Sequence, residues 1–146
     1  MKVNEVMTRP AIHIGPEESA EVAARTLAQY NIGALPVCSS NGKLCGLITD
    51  RDLVTRCMAS GKLPSQTTVR ELMTRELVGV GPDTELSTAA ELMGSRQVRR
   101  LPVVENGRLQ GMVSLGDLAK QGAEKADTEA ALRRISANIR TKNSCE

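Results

Sequence analysis

The sequence has no tryptophan, no phenylalanine and a single tyrosine, Tyr30. The core of this 146-residue chain must therefore be built from Val, Leu, Ile, Met and Ala. A bound base could be sandwiched by aliphatic side chains but hardly by aromatic ones. The same shortage weighs against single-stranded nucleic acid as a ligand, which needs aromatic stacking platforms. There is one histidine, His13, and the four cysteines, Cys38, Cys45, Cys57 and Cys145, show no Cys-x-x-Cys spacing. No metal site is expected from such a set. Only Cys38 and Cys45 could meet, across a hairpin, and all four are expected as free thiols packing as small apolar groups in a reducing compartment.

Catalytic signatures are missing as well. There is no Ser/His/Asp or Cys/His arrangement and no phosphate loop of the Gly-x-x-x-x-Gly-Lys type, so the expectation is a protein that is not an enzyme. No apolar run approaches the roughly 18–20 residues of a membrane span. The start, Met1-Lys2-Val3-Asn4-Glu5, lacks the apolar stretch of a signal peptide, and a cytoplasmic protein is expected. Net charge is +2, with 25% charged residues of both signs. Such a balance gives no strong pull on membranes and disfavours nucleic acid as a partner.

What the sequence does have is an internal repeat. Val6-Met7-Thr8 matches Leu72-Met73-Thr74, Gly15-Pro16 matches Gly81-Pro82, and Leu35-Pro36-Val37 matches Leu101-Pro102-Val103, all 66 residues apart. From Asn41-Gly42 against Asn106-Gly107 the offset is 65, so one residue is lost at a turn. Each copy reads as a lead, a short alternating strand (Ala11 to Ile14; Leu77 to Val80), a helix (Ser19 to Tyr30; Leu86 to Ser95), and a hairpin turning at Asn-Gly. A second helix then begins at Asp50 and near Leu115. The expected fold is α+β: two βαββα repeats, 1–62 and 63–120, packed about a pseudo-twofold axis, because sixty residues alone bury too little surface. A helical tail, 121–146, follows, with Ala131, Ile135 and Ile139 forming one narrow apolar stripe. That stripe suits a helix docked on the module or in a dimer contact, or else a binding element for another protein.

The stretch Gly46-Leu47-Ile48-Thr49-Asp50-Arg51-Asp52 recurs as Gly111-Met112-Val113-Ser114-Leu115-Gly116-Asp117. Hydroxyl-x-x-acid is the capping-box pattern, and Thr49 with Asp52, or Ser114 with Asp117, could do no more than cap a helix. Two features point further. Capping boxes use Glu or Gln, whose longer chains reach back more easily, and both copies carry Asp. Both also carry glycine three residues before the hydroxyl, where a missing side chain leaves room for close approach.

The order Val-Met-Thr, Leu-Pro-Val, Asn-Gly, then Gly-hydrophobic-hydrophobic-Thr/Ser-x-x-Asp, twice over from Met1 to Lys120, resembles a tandem cystathionine β-synthase (CBS) domain pair, or Bateman module. The resemblance implies two clefts between head-to-head repeats, an adenosyl ligand such as AMP, ADP, ATP, S-adenosylmethionine or NAD, and regulation of another protein. It also implies a homodimer, for which Leu53, Val54, Cys57, Met58, Leu118 and Ala119 on outer helix faces are candidates. It assigns the ribose hydroxyls to Asp52 and Asp117, and phosphate to Thr49 and Ser114. A helix N-terminus suits phosphate, and a carboxylate can accept from both hydroxyls of a diol. Arg51, and Arg99 with Arg100, are further phosphate candidates; they differ between the copies, so the two sites are expected to be inequivalent, the one reached by Arg99 or Arg100 favouring more phosphate. The adenine pocket is expected from Ile12, Ala34, Leu35, Pro36, Val78, Leu101 and Pro102, which would serve equally well as core. AMP, ADP or ATP is the leading expectation for the ligand, with a scaffold subunit whose clefts stay empty as the alternative.

Overall fold

A computed structural model describes residues 1–121 and 125–142, with side chains described through 120 and from 127 to 137. The fold is mixed α+β, with two two-stranded sheets and surrounding helices. In the first repeat, helix α1 (Ala20–Tyr30) leads to strands β1 (Ala34–Cys38) and β2 (Leu44–Thr49), then to the short helix α2 (Asp50–Asp52), which continues as a π-helical stretch, Leu53–Met58. Helix α3 (Val69–Leu72) opens the second repeat; α4 (Leu86–Arg96), β3 (Arg100–Glu105), β4 (Arg108–Ser114), α5 (Leu115–Gln121) and α6 (Lys125–Lys142) follow.

Local sequence accounts for these boundaries. The Ser19 hydroxyl caps α1 by accepting from the Val22 N–H at 3.2 Å. Asn31 and Gln97 end α1 and α4 in the left-handed conformation, at φ 52° and 57°. At the second hairpin Asn106 and Gly107 both take positive φ, 55° and 77°, as a two-residue type I′ turn requires. At the first, Gly42 alone has positive φ, and the ladder slips between Val37 and Cys38. That slip absorbs the residue by which the two copies differ.

The expected first strands are shortened to single bridges, Ile14 with Val37 and Val80 with Val103. Proline is the reason. Ile14 N–H donates to the Pro36 carbonyl at 3.0 Å, and Cys38 N–H to the Ile14 carbonyl at 2.9 Å. The next rung of a parallel ladder would need an N–H on residue 36, which proline does not have. Pro102 stops the second copy in the same way, after Val80 N–H bonds the Pro102 carbonyl at 3.0 Å.

The chain forms two compact units, and these do not follow the stretches 1–62 and 63–120. One unit comprises Ala11–Leu77 with Asn106–Leu109; the other comprises Met1–Pro10, Val78–Glu105 and Gln110–Glu146. Each repeat's lead thus belongs to the unit built on the other repeat. Met7-Thr8 pairs with β4 through Thr8 N–H to the Met112 carbonyl (2.8 Å) and the reverse bond (3.1 Å). Met73-Thr74 pairs with β2 through reciprocal bonds between Leu47 and Thr74 at 3.0 and 2.8 Å. The first-repeat unit has an aliphatic core that includes Leu35, Val37, Ile48, Val69 and Leu72; the second-repeat unit has one that includes Val3, Met93, Leu101, Val103, Val113 and Leu118.

The tail helix α6 docks on α4 and α5, burying Ala131 and Ile135. A Cβ on Gly94 would sit 3.1 Å from the Ala131 Cα, so the small residues of α4 set how close the two helices come. The third member of the expected stripe, Ile139, has its side chain outside the described residues, as does Cys145 altogether. Of the outer-face residues expected at a dimer contact, Cys57 and Leu118 are core residues instead, at 1% and 0% exposure, while Val54 and Met58 are exposed. Among the described residues no helix is long and apolar enough to cross a membrane.

Candidate functional site

Both hydroxyl–acid pairs close complete capping boxes. In the first-repeat unit the Asp52 N–H donates to Thr49 Oγ1 at 3.0 Å, and the Thr49 N–H donates to Asp52 Oδ2 at 3.0 Å. In the second, Asp117 N–H donates to Ser114 Oγ at 3.0 Å and Ser114 N–H to Asp117 Oδ2 at 2.9 Å. Aspartate therefore closes the box despite its shorter reach. Each carboxylate spends one oxygen on its own backbone and keeps the other, Oδ1, for something else.

The two units use that second oxygen differently. Asp52 is 8% exposed, and its Oδ1 lies 3.7 Å from Arg56 Nε, one helical turn on. Arg56 in turn donates to the Leu72 carbonyl at 3.1 Å, tying α2 to the end of α3. Asp117 is half-buried, and among the described residues its Oδ1 has no hydrogen-bond or ion-pair partner. The repeat pattern gives the two aspartates equal standing and does not single out Arg56. Its signal was there: Asp52 and Arg56 are four apart, the spacing of a helical ion pair, whereas the second copy has Gln121 at the corresponding place.

The backbone around each box differs too. Asp50 Oδ1 accepts from the Arg51 N–H at 2.8 Å, so an acidic side chain occupies the first turn of α2. Leu115 and Gly116 stand at these places in α5 and bring no such acid. Arg51 is exposed.

Arg99, Arg100 and Ser114 do come together. They line one cavity of about 480 Å³ in the second-repeat unit, with Leu115, Gly116 and Ala119 of α5 and with Thr128, Glu129 and Leu132 of α6. The Leu115 N–H donates to the Arg99 carbonyl at 2.8 Å, which holds the start of β3 against the start of α5. The volume lies in the ordinary range of ligand pockets. Three residues expected to bind phosphate are thus gathered by the fold, and a carboxylate and a hydroxyl from the tail join them. Nothing in the repeat pattern points to Thr128 or Glu129, because the tail has no second copy; the only hint is that Thr128 and Leu132 share a helix face beside the apolar stripe.

The expected adenine residues divide. Leu35 and Leu101 are fully buried members of the two cores, and Pro36 and Pro102 are buried as well. Ile12, Ala34 and Val78 remain half-buried. The glycines before the hydroxyls make room for the chain itself: a Cβ on Gly46 would meet the Thr74 carbonyl oxygen at 2.9 Å, and one on Gly111 the Thr8 carbonyl oxygen at 2.6 Å. They are there for strand pairing with the exchanged leads.

Cys38, Cys45 and Cys57 are free. Burial, and secondarily the neighbouring Cys45, pushes the Cys38 thiol up to about 11, so it stays protonated and unreactive near neutrality. Among the described residues no three His, Cys, Asp or Glu side chains gather as a metal site.

A family model described as the CBS domain matches residues 3–59 and 69–124. A CBS domain-containing protein of Bacillus subtilis, YhcV, is 40% identical over 134 residues, covering 92% of this chain and 94% of its own. The crystal structure of Hypoxic Response Protein I with two coordinated zinc ions is 31% identical, with a TM-score of 0.78 over 84% of this chain and 99% of that one. The CBS domain pair of protein MJ0100, in complex with 5′-methylthioadenosine and S-adenosyl-L-methionine, is 29% identical, with a TM-score of 0.74 over 82% and 94% of the respective chains.

Proposed function

The chain belongs to the CBS domain family, as a tandem pair of the regulatory kind, and on that premise we propose that it senses an adenosyl compound and passes its occupancy to a partner protein without catalysing a reaction. The observation that carries this reading is the second-repeat cavity. Arg99, Arg100 and Ser114 line it together; Asp117 is not one of its lining residues and adjoins it through its N–H, which donates to the Ser114 hydroxyl. A diol can donate to the Asp117 carboxylate, and charged hydrogen bonds of this kind are worth about 1.5–3 kcal/mol each. The adenosyl-bound MJ0100 pair supports the class of ligand. Within that class fall AMP, ADP, ATP, S-adenosylmethionine and NAD.

The first-repeat site is proposed as structural. Asp52 caps α2 and faces Arg56, which leaves less of it for a ligand than Asp117 has. The same unit offers a surface for self-association: an apolar cavity of about 400 Å³, lined by Ala24, Leu27, Ala28 and Leu53, with the exposed Val54 and Met58 beside it. A second copy presenting the same protruding side chains to the same hollow would make a twofold contact. Ligand binding would then act by favouring one arrangement of the bound module over another.

Thermal unfolding of the full chain with each of the five compounds tests the reading. A ligand at a hundred times its Kd adds about 2.7 kcal/mol, a rise of several degrees for a chain of this size. No rise with any of them at millimolar concentration removes the sensor reading, and steady hydrolysis of ATP by the purified protein removes its non-catalytic part.

A further inference from the structure

Helices α1 and α4 are the same element of the repeat, yet only one of them is covered. The 66-residue offset puts Ala24 and Ala28 of α1 at the places of Ala90 and Gly94 of α4. Ala90 and Gly94 are buried, and with Ala131 of α6 they line the crease between the two helices. Ala24 and Ala28 are exposed, and they line the open apolar hollow of about 400 Å³ together with the protruding Val54 and Met58, which are 55% and 70% exposed. The chain thus fills this face of the repeat with a helix in one copy and leaves it open in the other. Helix α6 is matched to the seat it has. A Cβ on Gly94 would stand 3.1 Å from the Ala131 Cα, and Ala28 carries that Cβ. Glu91 and Arg134 line the crease with opposite charges, whereas α1 has Arg25 at the place of Glu91. A helix like α6 laid on α1 would meet a like charge there.

The open face fits a second copy of itself. Its charges are balanced in sign: Glu21 and Arg25 form an ion pair at 2.6 Å along α1, and Asp50 and Arg51 stand together at the start of α2. A rim with both signs is complementary to its own rotated copy and gives no preference to a partner of one sign. Val54 and Met58 supply the drive, because both leave water when the hollow is filled. We propose that α6 is a cap: it occupies, on the second-repeat unit, the face by which the first-repeat unit pairs with a second copy, and so confines self-association to the first repeat. This rests on the self-association reading of that face and adds what regulates it. It also gives the tail a function beyond its own burial. Release of α6 uncovers a second face of the same design, with Ala90 and Gly94 on it.

Sedimentation velocity and amide hydrogen exchange on the full chain, each at low and high protein concentration, test this. The wild type is expected as a dimer that dissociates on dilution. Its amide protection should rise with concentration in α1 and in Leu53–Met58, and stay unchanged in α4. Met58→Asp should be monomeric at both concentrations. Ala131→Glu combined with Ile135→Glu drives charge into the α4 contact from the α6 side; both residues are buried there, and neither belongs to the second-repeat core. This double variant should associate at about tenfold lower concentration than the wild type, and Met58→Asp added to it should still give a dimer. Ser136→Glu, on the exposed side of α6, is the control and should behave as the wild type. A folded double variant that associates no more tightly than the wild type overturns the cap, as does a triple variant that is monomeric. Should the double variant fail to fold, the wild-type exchange pattern decides alone: protection that rises with concentration in α4 overturns the cap. A wild type that is monomeric throughout, or a Met58→Asp variant that stays dimeric, overturns the self-association reading and the cap with it.

Discussion

A Cβ on Gly111 would lie 2.6 Å from the carbonyl oxygen of Thr8, closer than real side chains ever come. Gly46 has the same relation to Thr74, at 2.9 Å, with the Met73 sulfur at 2.7 Å. The obstructing atoms include backbone held by reciprocal hydrogen bonds, so they cannot simply swing aside. Gly111→Ala and Gly46→Ala are each expected to destabilise by about 1–3 kcal/mol, the usual cost of overpacking. Gly116→Ala is the comparison: its Cβ would meet only Ser114 Oγ at 3.6 Å, and it should be neutral. Urea unfolding midpoints of the three variants measure this. Equal tolerance at all three positions would mean that the exchanged leads do not lie against β2 and β4.

The two aspartates are expected to separate stability from ligand response. Asp52→Ala strands a half-buried Thr49 N–H and removes the carboxylate facing Arg56, which keeps its bonds to the Leu72 and Met73 carbonyls, for about 1–2 kcal/mol of lost stability. Asp117→Ala loses the same cap on a more exposed helix, about 1 kcal/mol, but removes the carboxylate proposed to hold the ribose. Denaturant unfolding should therefore rank Asp52→Ala as the worse variant, while the ligand-induced rise in Tm should vanish only in Asp117→Ala. The opposite ranking of the ligand responses would move the site to the first repeat.

Acid should loosen the lead of the second repeat. Hydrogen bonds from the Thr68 N–H, and then from its hydroxyl, hold the Glu71 carboxyl below its ordinary value of 4.5. Glu85 is lowered in the same direction by Lys2, whose ammonium is in turn raised above 10.5. A carboxylate with a lowered folded value contributes stability that is present above 4.5 and is lost as pH falls through that lowered value; the raised Lys2 contributes stability that is present below 10.5 and is lost as pH rises through its own. All three groups are exposed, so the effects are small. Glu71→Gln should flatten the acid limb of a stability-versus-pH curve without changing the alkaline limb, read from Tm at half-unit steps of pH.

Much of this molecule is legible without coordinates. The repeat offset, Ser19 before α1, the paired Asn-Gly turns and the hydroxyl–acid pairs all act within a few residues of themselves, so local chemistry decides them. The limit of that legibility is visible at Ala11 to Ile14, where alternation suggests a strand. The outcome depends on an N–H missing from Pro36, a residue far along the chain, and a single bridge results.

The site was legible as a set of residue types but not as a place. Arg99, Arg100 and Ser114 carry their charge and hydroxyl in the letters themselves, and the helical spacing of Asp52 and Arg56 is written there as well. Other features are not. That the Gly46 and Gly111 gaps are filled by Thr74 and Thr8, that Leu35 and Leu101 belong to cores, and that Glu129 shares a cavity with two arginines are relations between segments distant in sequence. Composition and periodicity constrain each segment separately, and only the packing of one segment on another determines which charges share a space.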